Sequence, residues 1–312
     1  MSETLVSLMM PAWRPRAEWL REAVRSALAQ TGCAIELVLI DDGSPVPVAS
    51  LLEGLEDPRL RVIRIEHAGE AQARNSGIAE ARGEYLRFID ADDVIEPAST
   101  SLLLGLCEGH SGVIAYGATL FCDEDLRPLW KMTSEVEGNG VTACLLGRFQ
   151  TRLPAFLFPR RVIELTGAWD PGFEVSPDWD FILRSLEHAQ VRGTGSVAAL
   201  YRRHSGGATA NPAGGAKAAE RLVARYFDRH PEQRGTALER QASARSLAHS
   251  GRIYATHRRP GKAISMLARA ARLDPGAVWM EVSQGLPRLA ARGRRVLRME
   301  PRELREPPPP PN

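Results

Sequence analysis

Between residues 4 and 120, short apolar runs alternate with stretches of helical periodicity. Leu5-Val6-Ser7-Leu8-Met9-Met10 predicts a strand ended by Pro11. From Arg16 to Gln30, Trp19, Leu20, Ala23, Val24, Ala27 and Leu28 recur at helical spacing on one face. Ile35 to Ile40 is a second apolar run, stopped by Asp41-Asp42-Gly43-Ser44-Pro45. A short helix near Val48–Leu55, a strand over Arg61–Ile65, a helix over Glu70–Ala81 and a strand over Tyr85–Ile89 follow. The last of these runs into Asp90-Ala91-Asp92-Asp93. This β-α-β order predicts a parallel sheet covered on both faces. Ligands of such sheets sit outside the carboxyl ends of the strands, where both acidic clusters fall.

Periodicity is lost over 121–153, which reads as an insertion or long loop over the sheet. Order returns with Ala155–Phe158, a helix near Arg160–Thr166, a helix over Asp178–Gln190 behind Pro177, and a strand at Val197–Tyr201 running into Arg202-Arg203-His204. The pattern divides the chain into an α/β body over 1–205, a Gly/Ala/Pro-rich linker over 206–217, a helical region over 218–300 and a proline-rich tail over 301–312. Helices are expected at Ala218–Arg229, Leu238–Ala255, Ala263–Leu273 and Trp279–Arg298. The spacing of Ala248, Gly251, Tyr254, Ala263, Ala270 and Asp274-Pro275 resembles one tetratricopeptide unit, although a single unit is weak evidence and a plain helical hairpin packed on the body suits it better.

Composition narrows the class. With 44% hydrophobic and 25% charged residues the chain is neither disordered nor collagen-like, and no run is long enough for a membrane-spanning helix. The N-terminus lacks a basic region before a long apolar run, so it reads as a first strand and not as a leader; the expected location is cytoplasmic. Cys33, Cys107, Cys122 and Cys144 form no CxxC and are expected as thiols in a reducing compartment. The formal charge of +2 conceals an asymmetry: Arg240 to Glu306 holds 15 Lys and Arg against 5 Asp and Glu, so the body is acidic.

The acidic clusters suit specific chemistry. Asp90 and Asp92, two residues apart, can converge on one hard divalent cation such as Mg2+ or Mn2+; a solvated turn capping the next helix has the same pattern. Asp42 or Asp41 can hydrogen-bond a base or ribose, or cap a turn. Arg74, within Ala73-Arg74-Asn75-Ser76-Gly77, can point to a nucleotide or lie on an exposed helix face.

Taken in order, Val6–Pro11, Ile40-Asp41-Asp42-Gly43-Ser44, Ala73-Arg74-Asn75-x-Gly77, Phe88-Ile89-Asp90-Ala91-Asp92-Asp93, Asp178-Trp179-Asp180 and Tyr201-Arg202-Arg203-His204 resemble family 2 glycosyltransferases of the GT-A fold, over roughly residues 4–205. The resemblance implies an α/β, Rossmann-like, mostly parallel sheet. It also implies a nucleotide-diphospho-sugar donor (most often a UDP-sugar), Mn2+ or Mg2+, and inversion at the anomeric carbon. Carried over, it sets Pro11 and Asp42 against the base with Asp41 close by. Arg74, Asp90 and Ala91 fall on the donor, Asp92 and His204 on the metal, with Asp93 in support. Asp178 becomes the catalytic base, with Asp180 its competitor. Members commonly carry Glu immediately before this Asp, where this chain has Pro177. The acceptor implied is a glycan or a lipid-linked hydroxyl.

The tail allows one further expectation. Arg288, Arg292, Arg294, Arg295 and Arg298, interleaved with Leu286, Leu289, Val296 and Leu297, suit peripheral contact of 283–300 with anionic lipid, or a helix packed on the acidic body. No nucleic-acid motif occurs. The rival to an enzyme is a nucleotide-sugar-binding scaffold that works through its helical tail.

Overall fold

The structure, a computed structural model, describes residues 4–149, 151–173, 177–204 and 212–279. Strand β1 (Leu5–Ala12) is followed by α1 (Ala17–Leu28), β2 (Ala34–Asp42), the short α2 (Val48–Leu51), β3 (Leu60–Ile65), α3 (Glu70–Glu80) and β4 (Tyr85–Phe88). These strands are parallel in the order β3-β2-β1-β4, as the alternation of elements predicts. Val6, Leu8, Met9 and Met10 of β1 and Leu37 to Ile40 of β2 are buried on both faces, the mark of strands with helices above and below. Helix α1 turns Trp19, Leu20, Ala23, Val24 and Ala27 onto one of those faces.

Pro11 does not end β1, which continues to Ala12. The Met9 carbonyl accepts from the Ile89 amide, so two residues later the missing N–H of Pro11 faces the same side. There β4 has already stopped, and Pro11 pairs only with Ile40 of β2.

Beyond β4 come β5 (Val94–Ile95), α4 (Ser99–Cys107), β6 (Val113–Cys122), β7 (Pro128–Met132), α5 (Val141–Leu145), β8 (Phe156–Pro159), α6 (Arg160–Thr166), α7 (Pro177–Leu186) and β9 (Gln190–Arg202). Past the parallel strands β1–β4 the sheet becomes mixed: β8 runs antiparallel between β4 and β6, β9 is parallel to β6, and β5 is antiparallel to β9. Strand β7 folds back on β6, so the stretch 121–153 holds a hairpin and a short helix and is not a loop. Strand β9 is 13 residues long, well beyond Val197–Tyr201, because Gly193 admits the Tyr116 ring where a Cβ would lie 2.4 Å from it. Arg87, wholly buried, joins these parts. It donates to the carbonyls of Pro154 and Ala198 and to the hydroxyls of Ser99 and Thr100, and burial pushes its pKa down to about 9.

The C-terminal helices are α8 (Pro212–Arg229), α9 (Ala237–Thr256) and α10 (Pro260–Leu273). Helix α8 starts within residues expected as linker. Its Val223, Tyr226 and Phe227 enter the cluster that contains Phe88, Trp169 and Phe181, so it is part of the body's core. Helices α9 and α10 pack closely, a Cβ on Gly251 lying 2.8 Å from Leu267 Cγ. The predicted helix to Arg298, the 283–300 segment and the proline-rich tail lie outside the described residues. Among the described residues, no helix is long and apolar enough to cross a membrane.

Candidate active site

The carboxyl ends of β1, β2 and β4 open on one side of the sheet, and each acidic cluster is held there by its own backbone. At the end of β2, Asp41 Oδ1 accepts from the Ser44 amide at 2.8 Å. Its Oδ2 accepts from the Val48 amide at 3.1 Å and from Arg64 at 2.7 Å. Burial acts to raise its pKa, but these hydrogen bonds and the guanidinium leave it below the ordinary value. Asp41 is therefore committed to shaping the turn. Asp42, also buried, accepts from the amides of Ala68 and Gly69 at 2.8 and 3.0 Å and meets His67 Nδ1 at 2.9 Å. It fixes the approach to α3, and His67 stacks on the half-exposed Trp13 at 4.7 Å, just past Pro11 and Ala12.

The residues Asp90 to Asp93 form a turn closed by the Asp93 amide on the Asp90 carbonyl. Asp90 and Asp92 do not converge directly. Asp90 Oδ1 accepts from Arg74 at 2.8 Å, whereas Asp92 Oδ2 lies 2.9 Å from His204 Nε2. Ala91 sits between them, half-buried against the apolar layer under the turn. Asp93 points inward: Oδ1 accepts from the Arg202 amide, Oδ2 is buried with no partner, and burial with the nearby Asp92 charge raises its pKa well above the ordinary value. Arg202 clasps the turn to the end of β9, donating to the Asp92 carbonyl at 2.9 Å, to the Glu124 carbonyl and to Glu22. His204 is thereby brought to Asp92, its ring against Trp19 at 4.9 Å. Among the described residues, no group of three or more His, Cys, Asp or Glu side chains surrounds one point.

The stretch around Arg74 has a separate task for each residue. Gly77 lets α3 lie against Met9 and Ile40. Asn75 exchanges two hydrogen bonds with the Trp169 backbone, at 3.0 and 2.8 Å. Arg74, 3% exposed, lies over the Trp169 ring at 4.5 Å and pairs with Asp90 and with Glu70 at 2.6 Å. Glu70 is not among the expected site residues, although its i,i+4 spacing to Arg74 is a visible signal.

Trp169 in turn stacks on Phe181 of α7 at 4.1 Å with the planes 4° apart. That stack sets the helix, and with it Asp178 in the first turn. Asp178 is half-buried. Burial is the largest influence on its carboxyl and raises it; Arg152 and then Arg74 oppose this, and the net value lies above the ordinary 3.8. A helix start favours the ionised form, and burial opposes it here. Asp180 turns the other way, buried and paired with Arg184 at 2.9 Å, with Arg225 of α8 at 3.8 Å. Asp90 and Asp178 both act on Arg74, and Asp90, Asp92 and Asp178 all act on Glu70. These carboxylates therefore share one electrostatic neighbourhood.

Comparison with known proteins sets this chain in a sugar-transferring enzyme family. Residues 7–169, just over half of the chain, match Glycosyl transferase family 2, and the chain belongs to that family. It is 34% identical over 143 residues to the succinoglycan biosynthesis protein ExoO of Rhizobium meliloti, covering 45% of this chain and 38% of that one. It is 30% identical over 168 residues to an uncharacterized glycosyltransferase of Haemophilus influenzae, covering 53% and 66%. It also matches, at 32% identity over 201 residues, the uncharacterized protein y4gI of Sinorhizobium fredii, covering 60% of this chain but 21% of that protein. The matches thus span less than two thirds of each of these relatives. Among solved structures, residues 1–349 of TarS from S. aureus superpose with a TM-score of 0.57 at 13% identity, covering 86% of this chain and 91% of that one. TarS with UDP-GlcNAc gives 0.56.

Proposed function

We propose that this chain transfers a sugar, with inversion, from a nucleotide-diphospho-sugar to a hydroxyl of a glycan or lipid-linked acceptor, with Asp178 as base. The single observation that carries the reading is that Asp178, remote in sequence from Asp90 and Asp92, is linked to Asp90 by one chain of contacts: Asp90 pairs with Arg74, Arg74 lies over the Trp169 ring, and Trp169 stacks on Phe181 of α7. The UDP-GlcNAc and UDP complexes of the TarS fold support a uridine nucleotide as the donor to test first. In this reading Asp42 and Pro11 border the base, Asp41 holds their loop, and Arg74 with Asp90 and Ala91 lines the donor.

Asp92 and His204 would hold the Mn2+ or Mg2+. Two protein donors fit an ion that takes its other ligands from water and phosphate oxygens, and they do not suit an all-protein cage. Such an ion, when bound, neutralises the departing diphosphate. Asp178 removes the acceptor hydroxyl proton as that oxygen bonds to C1 and the C1–O bond to the diphosphate breaks; the nucleoside diphosphate leaves with the electron pair. A carboxyl raised by burial is the better base, and Arg152 and Arg74 oppose that rise. Pro177 occupies the first turn of α7, where a missing N–H costs nothing, so the family's usual Glu is dispensable to the helix.

Turnover of a panel of UDP-sugars with Mn2+ tests this. Asp178→Asn is expected to lower turnover by about 10²- to 10⁴-fold while UDP affinity is retained. The acidic limb of the parent's kcat/KM profile is expected above 3.8, since activity rises as Asp178 loses its proton. Parental turnover by Asp178→Asn sinks the assignment.

A further inference from the structure

We infer that Arg152 forms an anion-binding subsite on the acceptor side of the cleft, one that takes a phosphate or carboxylate group carried by the acceptor. The inference rests on the donor-and-base reading above and adds the chemical class of the second substrate.

The backbone at this point is rigidly set. The Arg152 amide donates to Thr119 Oγ1 at 3.1 Å, and the Thr151 hydroxyl, 3.2 Å from that of Thr119, donates to the Gly117 carbonyl at 2.8 Å. Both threonines are wholly buried. Residues 153–155 then form a helical turn whose Pro154 carbonyl is taken by Arg87. The side chain therefore leaves a fixed point between β6 and β8.

Its guanidinium lies over the rings of Phe121 and Tyr201, at 5.4 and 5.8 Å, and Phe121 is itself stacked on Trp130 at 4.7 Å. Aromatic faces hold the cation without consuming its N–H donors. Nε is buried with no hydrogen-bond partner, and among the described residues the guanidinium makes no ion pair within 4.0 Å. Arg74, Arg184 and Arg202, by contrast, each have a carboxylate. A buried donor left unsatisfied calls for a partner, and the planar fork of arginine suits an oxyanion bound through two N–H groups.

Position decides which oxyanion. Arg152 comes from the β6–β8 half of the sheet, whereas Asp42, Arg74 and Asp90 come from the β1–β4 half. Of the cations acting on Asp178, Arg152 is the stronger, ahead of Arg74. Tyr201, a ring under the Arg152 guanidinium, lies at the end of β9 that leads to His204, so Arg152 reaches the mouth of the sheet from the half opposite the donor residues, where an acceptor must arrive.

The test titrates the full chain, saturated with UDP and Mn2+, with glucuronate, inorganic phosphate and glucose, followed by NMR. The parent is expected to bind the two anions at least about tenfold more tightly than glucose. Arg152→Gln is expected to reduce that preference to under about twofold, and Arg152→Lys to keep part of it, because lysine retains charge but not the fork. UDP affinity, measured on each variant, reports folding and distinguishes the source of the oxyanion. If Arg152→Gln weakens UDP as much as it weakens the anions, the group met is the donor's diphosphate and the acceptor subsite is overturned. No preference for anions in the parent, or an undiminished preference in Arg152→Gln, overturns it equally. Absence of UDP binding by the parent removes the donor reading, and the inference falls with it.

Discussion

Adjacent aspartates at the end of β2 show how one residue type serves two ends. Asp42 closes the loop at 67–69, while Asp41 is spent on the turn at 44–48 and on Arg64. The pKa of Asp41 is lowered even though burial opposes it, so its ionised form is favoured by folding. That contribution is present above the unfolded carboxylate value and is lost as pH falls through the folded one. Asp41→Asn is therefore expected to cost about 2 kcal/mol at neutral pH, because charged hydrogen bonds are lost and an amide N–H can be turned toward a backbone N–H. The cost is expected to shrink toward zero below the ordinary carboxylate pKa, as read by urea unfolding at several pH values; a pH-independent cost contradicts the assignment. Asp178 differs, since burial raises it and the neighbouring Arg152 and Arg74 offset that rise only in part.

Elements carry the site by relay. Asn75 on α3 fixes the Trp169 backbone, the Trp169 ring stacks on Phe181, and Phe181 sets α7 and hence Asp178. No sequence pattern displays that relay, because each link joins residues remote in the chain. The first four strands and α1 are legible from alternation alone, since their apolar positions are local and periodic. Strands β6, β7 and β9 are not. Gly193 and Gly195 break the β9 pattern, and that strand exists through long-range pairing with β6. The acid turn is visible as a motif, yet the parting of Asp90 to Arg74 and Asp92 to His204 depends on where β9 ends. Arg152 gives no signal at all, being one arginine in a stretch without period. Helices α9 and α10 are legible because small residues recur along them. Gly251→Leu is expected to destabilise that hairpin by about 1–3 kcal/mol, since its Cβ alone would meet Leu267 at 2.8 Å. A lower urea midpoint for loss of helical circular dichroism checks this, and an unchanged midpoint would refute close packing there.

At the scale of the whole molecule, helix α8 and the sheet share one core among the described residues. Helix α8 supplies Val223, Tyr226 and Phe227 to the cluster that also holds Trp169 and Phe181, and Arg225 pairs with Asp170 beside α7. A chain stopped at residue 204 is expected to expose this face, bind a hydrophobic dye and aggregate, whereas one stopped at residue 279 unfolds cooperatively. A well-behaved monomer ending at 204 contradicts the shared core. The same integration places His204, the last described residue of the body before α8, against Asp92 across the mouth of the sheet. The most direct test of the account is therefore calorimetric titration of UDP into the parent and Asp92→Asn, each with Mn2+ and with a chelator. The parent is expected to lose on the order of tenfold in affinity, about 1.4 kcal/mol, when the metal is removed, and Asp92→Asn to bind weakly and indifferently to the metal. Equal, metal-independent binding of UDP by both proteins would contradict it.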